Sequence, residues 1–132
     1  MSEPIKLKHC LQGWPPRGPN AFHWRNGRLT YMLPDRSHHH QDWDKVMTPL
    51  PAQWEEFWQV CDEIDVWSWP PSLGDRHVID GLQWITELEV GTRYVASCGQ
   101  VQGSPPDFVA KLMRFHQALQ KMAGWPTPTT HA

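Results

Sequence analysis

The chain has 132 residues, a net charge of −2 and a hydrophobic content of 39%. That length suits one domain that buries about two-thirds of the surface its unfolded chain would expose, and the composition excludes an intrinsically disordered chain. The near-neutral charge provides no long-range field to gather phosphate backbones, which disfavours nucleic acid as a partner.

Three cysteines, Cys10, Cys61 and Cys98, are odd in number and far apart. They exclude a disulfide framework and a zinc ribbon. The opening MSEPIKLKHC has no apolar run of the kind a signal peptide or membrane span needs. The expected location is the cytoplasm, with no membrane partner, and residues 1–132 are expected to form a single domain.

Residues 5–11 alternate apolar and polar, as a half-buried strand does. Residues 12–20 hold two glycines and three prolines and read as a loop. Asn26-Gly27 separates the β-rich runs 21–25 and 28–33 and predicts a hairpin, because both turn positions need φ > 0. Residues 34–49 are polar and read as a loop or irregular crossover.

Residues 51–69, PAQWEEFWQVCDEIDVWSW, hold four of the nine tryptophans. Trp54, Phe57, Trp58, Cys61 and Ile64 share one face at helical spacing, opposite Glu55, Glu56, Gln59, Asp62 and Glu63. Pro51 suits the first turn of this helix, and Glu55 and Glu56 are placed in that turn, where the macrodipole favours acids. Asp62, Glu63 and Asp65 are at its unfavourable end. The run 66–69 alternates, and Pro70-Pro71 ends regular structure. A second hairpin is expected to open at Asp80-Gly81, with strands over 82–90 and 92–98 turning at Gly91. The last helix has Ser104 as its expected N-cap, Pro105 at its first position and a stripe of Phe108, Leu112, Phe115, Leu119 and Met122. Gly124 suits its C′ position, and residues 124–132 are expected to be a loose tail. The fold expected is α+β: a four- or five-strand, mainly antiparallel sheet with two helices packed on one face.

Trp54, Phe57, Asp62, Val66, Trp67 and Trp69 form one motif. It is followed by Asp80, Gly81 and Trp84, then by Gly99 and by Phe108 behind two prolines. Over the C-terminal two-thirds of the chain this pattern resembles a broad set of small bacterial proteins with a Trp-rich helix, a V-W-x-W exit and a D-G-x-x-W hairpin. The resemblance implies the fold alone and transfers no catalytic residues.

Candidate chemistry is sparse. His38, His39 and His40, with Asp42 and Asp44, carry metal-ligand groups. Consecutive residues of an extended chain point in opposite directions, however, and no second cluster supports them. Cys61 falls on an apolar helix face, as a small hydrophobe does. Ser68, Ser72 and Ser104 lack a nucleophile elbow. Asp62, Asp65, Asp75 and Asp80 surround Trp67 and Trp69, the composition of a glycan or small-ligand site without fixed spacing. Trp14, Trp24 and Tyr31 interleave with Arg17, Arg25 and Arg28, as base-stacking faces do. No phosphate-binding glycine motif is present and no cofactor is expected.

The abundance of tryptophan is the strongest functional signal, because aromatic residues concentrate at interface cores. It leads to the expectation of a non-enzymatic protein-binding or accessory domain, with a protein partner or self-association as a homodimer. Trp67 and Trp69 are its expected anchors, with Trp84 behind them and Asp62 and Asp65 beside them. The alternative is a small-ligand or glycan-binding protein, or an enzyme, using the same acidic and aromatic helix exit.

Overall fold

The computed structural model describes residues 3–12, 18–33, 45–74 and 81–125. Seven strands and two helices are present: β1 (Lys6–Gln12), β2 (Ala21–Arg25), β3 (Arg28–Met32), β4 (Lys45–Met47), α1 (Pro51–Glu63), β5 (Ser72–Leu73), β6 (Gln83–Val90), β7 (Arg93–Gln100) and α2 (Pro106–Met122). The strands form one open sheet in the order β4-β3-β2-β1-β6-β7-β5. All neighbours are antiparallel except β5 and β7, which are parallel. Among the described residues no helix is long and apolar enough to cross a membrane.

Among the described residues the sheet therefore has seven strands, not four or five. The two extra strands are the short edges. Three residues of β4 and two of β5 are too few to show a period of two, and both fall in stretches whose prolines and polar residues read as loop. The run 66–69 is not a strand. Val66–Ser68 form a single 3-10 turn, entered through Asp65 in the left-handed conformation at φ 52°. Four alternating residues fit such a turn as well as a strand.

Local signals explain most elements. Asn26 and Gly27 have φ of 52° and 73° and close the β2–β3 hairpin. The α1 N-cap is Leu50, whose backbone N–H donates to Gln53 Oε1 at 2.7 Å. The first turn of α1 contains no acid, so Glu55 and Glu56 fall one turn later than the dipole favours. The N-cap of α2 is Pro105, not Ser104. The Ser104 hydroxyl instead donates to the Gln100 carbonyl at 2.6 Å. The helix ends as expected, with Gly124 at φ 86°.

The two helices lie antiparallel over one face of the sheet. Gln53 Nε2 at the start of α1 donates to the Met122 carbonyl at the end of α2. Glu56–Lys121 and Glu63–Arg114 ion pairs span the exposed side of the helix pair. Beneath them, Trp54, Phe57, Trp58 and Cys61 of α1 and Phe108, Leu112, Phe115, Leu119 and Met122 of α2 form one core with Leu7, Leu11, Phe22, Leu29, Trp84, Leu88 and Val95 of the sheet. Every position of both sequence-derived helix stripes is buried.

Gly99 shows how closely this core is set. A Cβ added there would collide with the Leu73 carbonyl of β5 and come within 2.9 Å of the Trp84 ring. Gly27 also has positive φ, but no atom lies within 4 Å of its added Cβ. Gly99→Ala is expected to cost about 2–4 kcal/mol by displacing β5 or Trp84, whereas Gly27→Ala should cost only about 1 kcal/mol of backbone strain. Urea denaturation of the two variants measures the difference.

Candidate interaction surface

The acidic and aromatic exit of α1 folds inward. Trp69 and Trp84 are both buried. Trp69 packs edge-on to Phe108 and Phe115, with ring centroids at 5.0 and 5.5 Å. Trp84 Nε1 donates to Ser97 Oγ at 3.3 Å, and the Ser97 hydroxyl donates to the Pro70 carbonyl at 2.6 Å. The Cys98 N–H donates to the Pro71 carbonyl at 3.0 Å. These bonds fasten Pro70-Pro71 along β7, so the exit turns into the core.

Trp67 is half-buried at the rim. Its ring stacks on Trp58 at 6.5 Å, and the Arg93 guanidinium lies 5.5 Å from its centroid. Asp62 Oδ1 accepts from Trp67 Nε1 at 3.3 Å and from Arg93 Nη1 at 2.9 Å. Asp65 accepts the Ser68 hydroxyl at 2.7 Å, and Glu63 is paired with Arg114. The three acids at the unfavourable end of α1 each hold a local partner, which offsets their clash with the helix dipole. Asp62 and Asp65 are thus engaged within the chain. Asp75 and Asp80 lie outside the described residues.

The described residues include no three His, Cys, Asp or Glu side chains grouped to hold a metal ion. His38, His39, His40, Asp42 and Asp44 lie outside them, as do Trp14 and Arg17. Cys61 is buried, and burial pushes its thiol far above the ordinary value. It is a core residue and a poor nucleophile.

A polar cluster that the motif search passed over is sealed in the core. His9 Nδ1 lies 2.7 Å from Thr86 Oγ1, and His9 Nε2 lies 3.1 Å from His116 Nδ1. Only 1% of His9 and 3% of His116 is exposed, between Phe22 and Phe115. The Pro19 carbonyl stands by the His116 ring. That carbonyl accepts from Gln120 Nε2 at 3.0 Å, and His116 Nε2 is buried without a hydrogen-bond partner among the described residues. The two bonds of His9 each need one donor and one acceptor, so the ring tautomers set their direction. Signals for this pair existed: His9 takes the inward position between Leu7 and Leu11, and His116 follows Phe115 on the α2 stripe.

With so little exposure the pair has no access to substrate, and its effect is on stability. Burial lowers His9 well below the ordinary imidazole value, and His116 adds to the effect. Burial lowers His116 to about 4, partly opposed by the Pro19 carbonyl. The fold therefore holds both rings neutral. Above the unfolded value near 6.5 neither state binds the proton. As pH falls below it, the unfolded chain protonates first and stability declines until the folded value is reached. His116 alone should remove about 2 kcal/mol between about pH 7 and about pH 5. The difference between the folding free energies at those two pH values, measured by urea denaturation, should shrink by about 2 kcal/mol in His116→Phe.

The face of the sheet turned away from the helices carries several exposed side chains. Strand register lays its side chains in three rows. The first runs Met32, Ala21, Cys10, Ile85, Cys98, and its Met32–Ala21 end is buried. The second runs Val46, Thr30, His23, Lys8, Glu87, Ala96. The third, one two-residue step along, runs Arg28, Arg25, Lys6, Glu89, Tyr94. Ile85 is 48% exposed, Val46 45% and Tyr94 52%. Tyr94 Oη donates to Glu87 Oε2 at 2.7 Å and holds that carboxylate below its usual range. Lys6 Nζ lies 3.6 Å from the same oxygen.

Depressions lie on both sides of the molecule. One of about 240 Å³ lies on the outer side of the helix pair, over Phe57 and Val60 and between the ion pairs. Another, of about 430 Å³, lies on the open sheet face between Arg25, Arg28, Thr30 and Val46. Comparison with protein-family models and with curated proteins finds no match to this sequence.

Proposed function

We propose that this chain is a non-enzymatic protein-binding domain that works through its open sheet face. The observation that supports this reading most directly is the exposure of Ile85, Tyr94 and Val46 on one face of a rigid sheet whose other face is fully used by the helices. Half-exposed large side chains set among charged neighbours have the make-up of a mixed interface patch. The anchors proposed are Ile85 and Tyr94, because Trp69 and Trp84 are committed to the core and Trp67 is clasped between Trp58 and Arg93. Asp62 and Asp65 hold partners within the chain, which favours the open face over the α1 exit as the working surface. A cytoplasmic location accords with the three free cysteines.

The test is chemical crosslinking and capture from lysate with the wild-type chain and with Ile85→Asp, Tyr94→Ala and Trp67→Ala as bait. Both sheet-face substitutions are at exposed positions and should keep the native circular dichroism spectrum. Specific capture, including capture of further copies of the chain, should fall at least about tenfold in Ile85→Asp and persist in Trp67→Ala. Equal capture by all four baits would refute the reading.

A further inference from the structure

The open face carries an uneven charge pattern. Its basic residues, Lys6, Lys8, Arg25 and Arg28, lie on β1, β2 and β3, and its acidic residues, Glu87 and Glu89, lie on β6. The boundary between the two halves is the line between β1 and β6. A two-fold interface must be complementary to itself, and a face split by sign along one line meets that requirement in one orientation.

We infer that the open sheet face docks on the same face of a second copy of this chain, around a two-fold axis that runs along the strands between β1 and β6. This inference rests on the open-face reading above. The axis sets β1 of one copy over β6 of the other and β2 over β7. Lys8 and Lys6 then face Glu87 and Glu89 of the second copy, Ile85 faces Cys10, and Arg25 faces the Tyr94 ring. An axis running across the strands would place lysine over lysine and glutamate over glutamate, so charge selects the first arrangement. Two sheets stacked in this way have their strand directions nearly aligned, the usual geometry of packed sheets.

Size sets the strength. Five strands about 4.8 Å apart and three rows about 7 Å apart, less the buried Met32–Ala21 corner, span about 400 Å² per copy, the size of a weak, transient interface. The dimer is therefore weak and salt-sensitive.

The charges also pair within each chain, so a single reversal does not separate the two roles. Two complementary variants do. Lys6→Glu/Lys8→Glu makes β1 and β6 acidic alike on this face, and Glu87→Lys/Glu89→Lys makes both basic. Sedimentation velocity over a concentration series should show the wild type in reversible monomer–dimer exchange, and each variant alone should weaken self-association at least about tenfold. Mixing the two variants should restore a dimer of at least wild-type strength, because mixing repairs contacts between copies and leaves those within each chain broken. A wild type that stays monomeric throughout, or variants that self-associate like wild type, or a mixture that stays monomeric, would overturn the inference. If a monomeric wild type still captured a different protein in an Ile85-dependent way, the second-copy inference would fail while the open-face reading stood.

Discussion

The pairing of β1 with β6 is the constraint on which the rest depends. Seven consecutive residues of β1 are in antiparallel register with β6, from Lys6 opposite Glu89 to Gln12 opposite Gln83. This seam joins the β2–β3 hairpin to the β6–β7 hairpin across the whole of α1 in sequence. A one-residue slip would reverse both faces at once. It would move Leu7, His9 and Leu11 out of the core and bring Lys6 and Lys8 in. The register also places His9 opposite Thr86, making their hydrogen bond a direct product of the seam.

The core above that seam is an aromatic stack with a few polar fasteners. Trp54, Trp58, Phe57, Phe115, Trp69, Phe108 and Trp84 form a chain of ring contacts from one end of the helix pair to the other. Such rings contribute area and restrict geometry together. The indole N–H groups of Trp54 and Trp69 are buried without a hydrogen-bond partner among the described residues. That is a local cost of using tryptophan as filler. Ser97, which serves both Trp84 and Pro70, shows the opposite solution, where a buried polar group ties two elements together; the histidine pair ties β1 to α2 but leaves His116 Nε2 without a partner among the described residues.

Much of this architecture was legible because it repeats a local rule. The stripes Trp54–Phe57–Trp58–Cys61 and Phe108–Leu112–Phe115–Leu119 follow helical spacing, and both match the buried set. Asn26-Gly27 and Gly91 mark turns through their backbone freedom. The strands β4 and β5 were illegible because two or three residues carry no periodicity, and β5 is held by a parallel neighbour distant in sequence. The course of the α1 exit was illegible for a related reason. The motif Asp-Val-Trp-Ser-Trp looks prominent in a linear reading, yet the left-handed turn at Asp65 and the anchoring of Pro70 to Ser97 direct Trp69 into the core. Both are tertiary facts. The His9–His116 contact spans 107 positions, and only the packing of α2 over β1 brings the rings together. The charge division of the open face likewise appears only after the strand order is known, since β1 and β6 meet across more than half the chain.

The brevity of β4 and β5 has a consequence for how copies of this chain can meet. A long free edge is a template onto which further strands add without limit, the route to ribbons and fibres. Here the sheet tapers at both sides, to three residues and to two, which offers an incoming strand few backbone groups to bond. Lateral growth is starved at its starting point. Contact through a face related by a two-fold axis is different in kind, because each copy would use that face once and the assembly would stop at a pair. The shape of the sheet thus favours a closed, reversible encounter over an open-ended one.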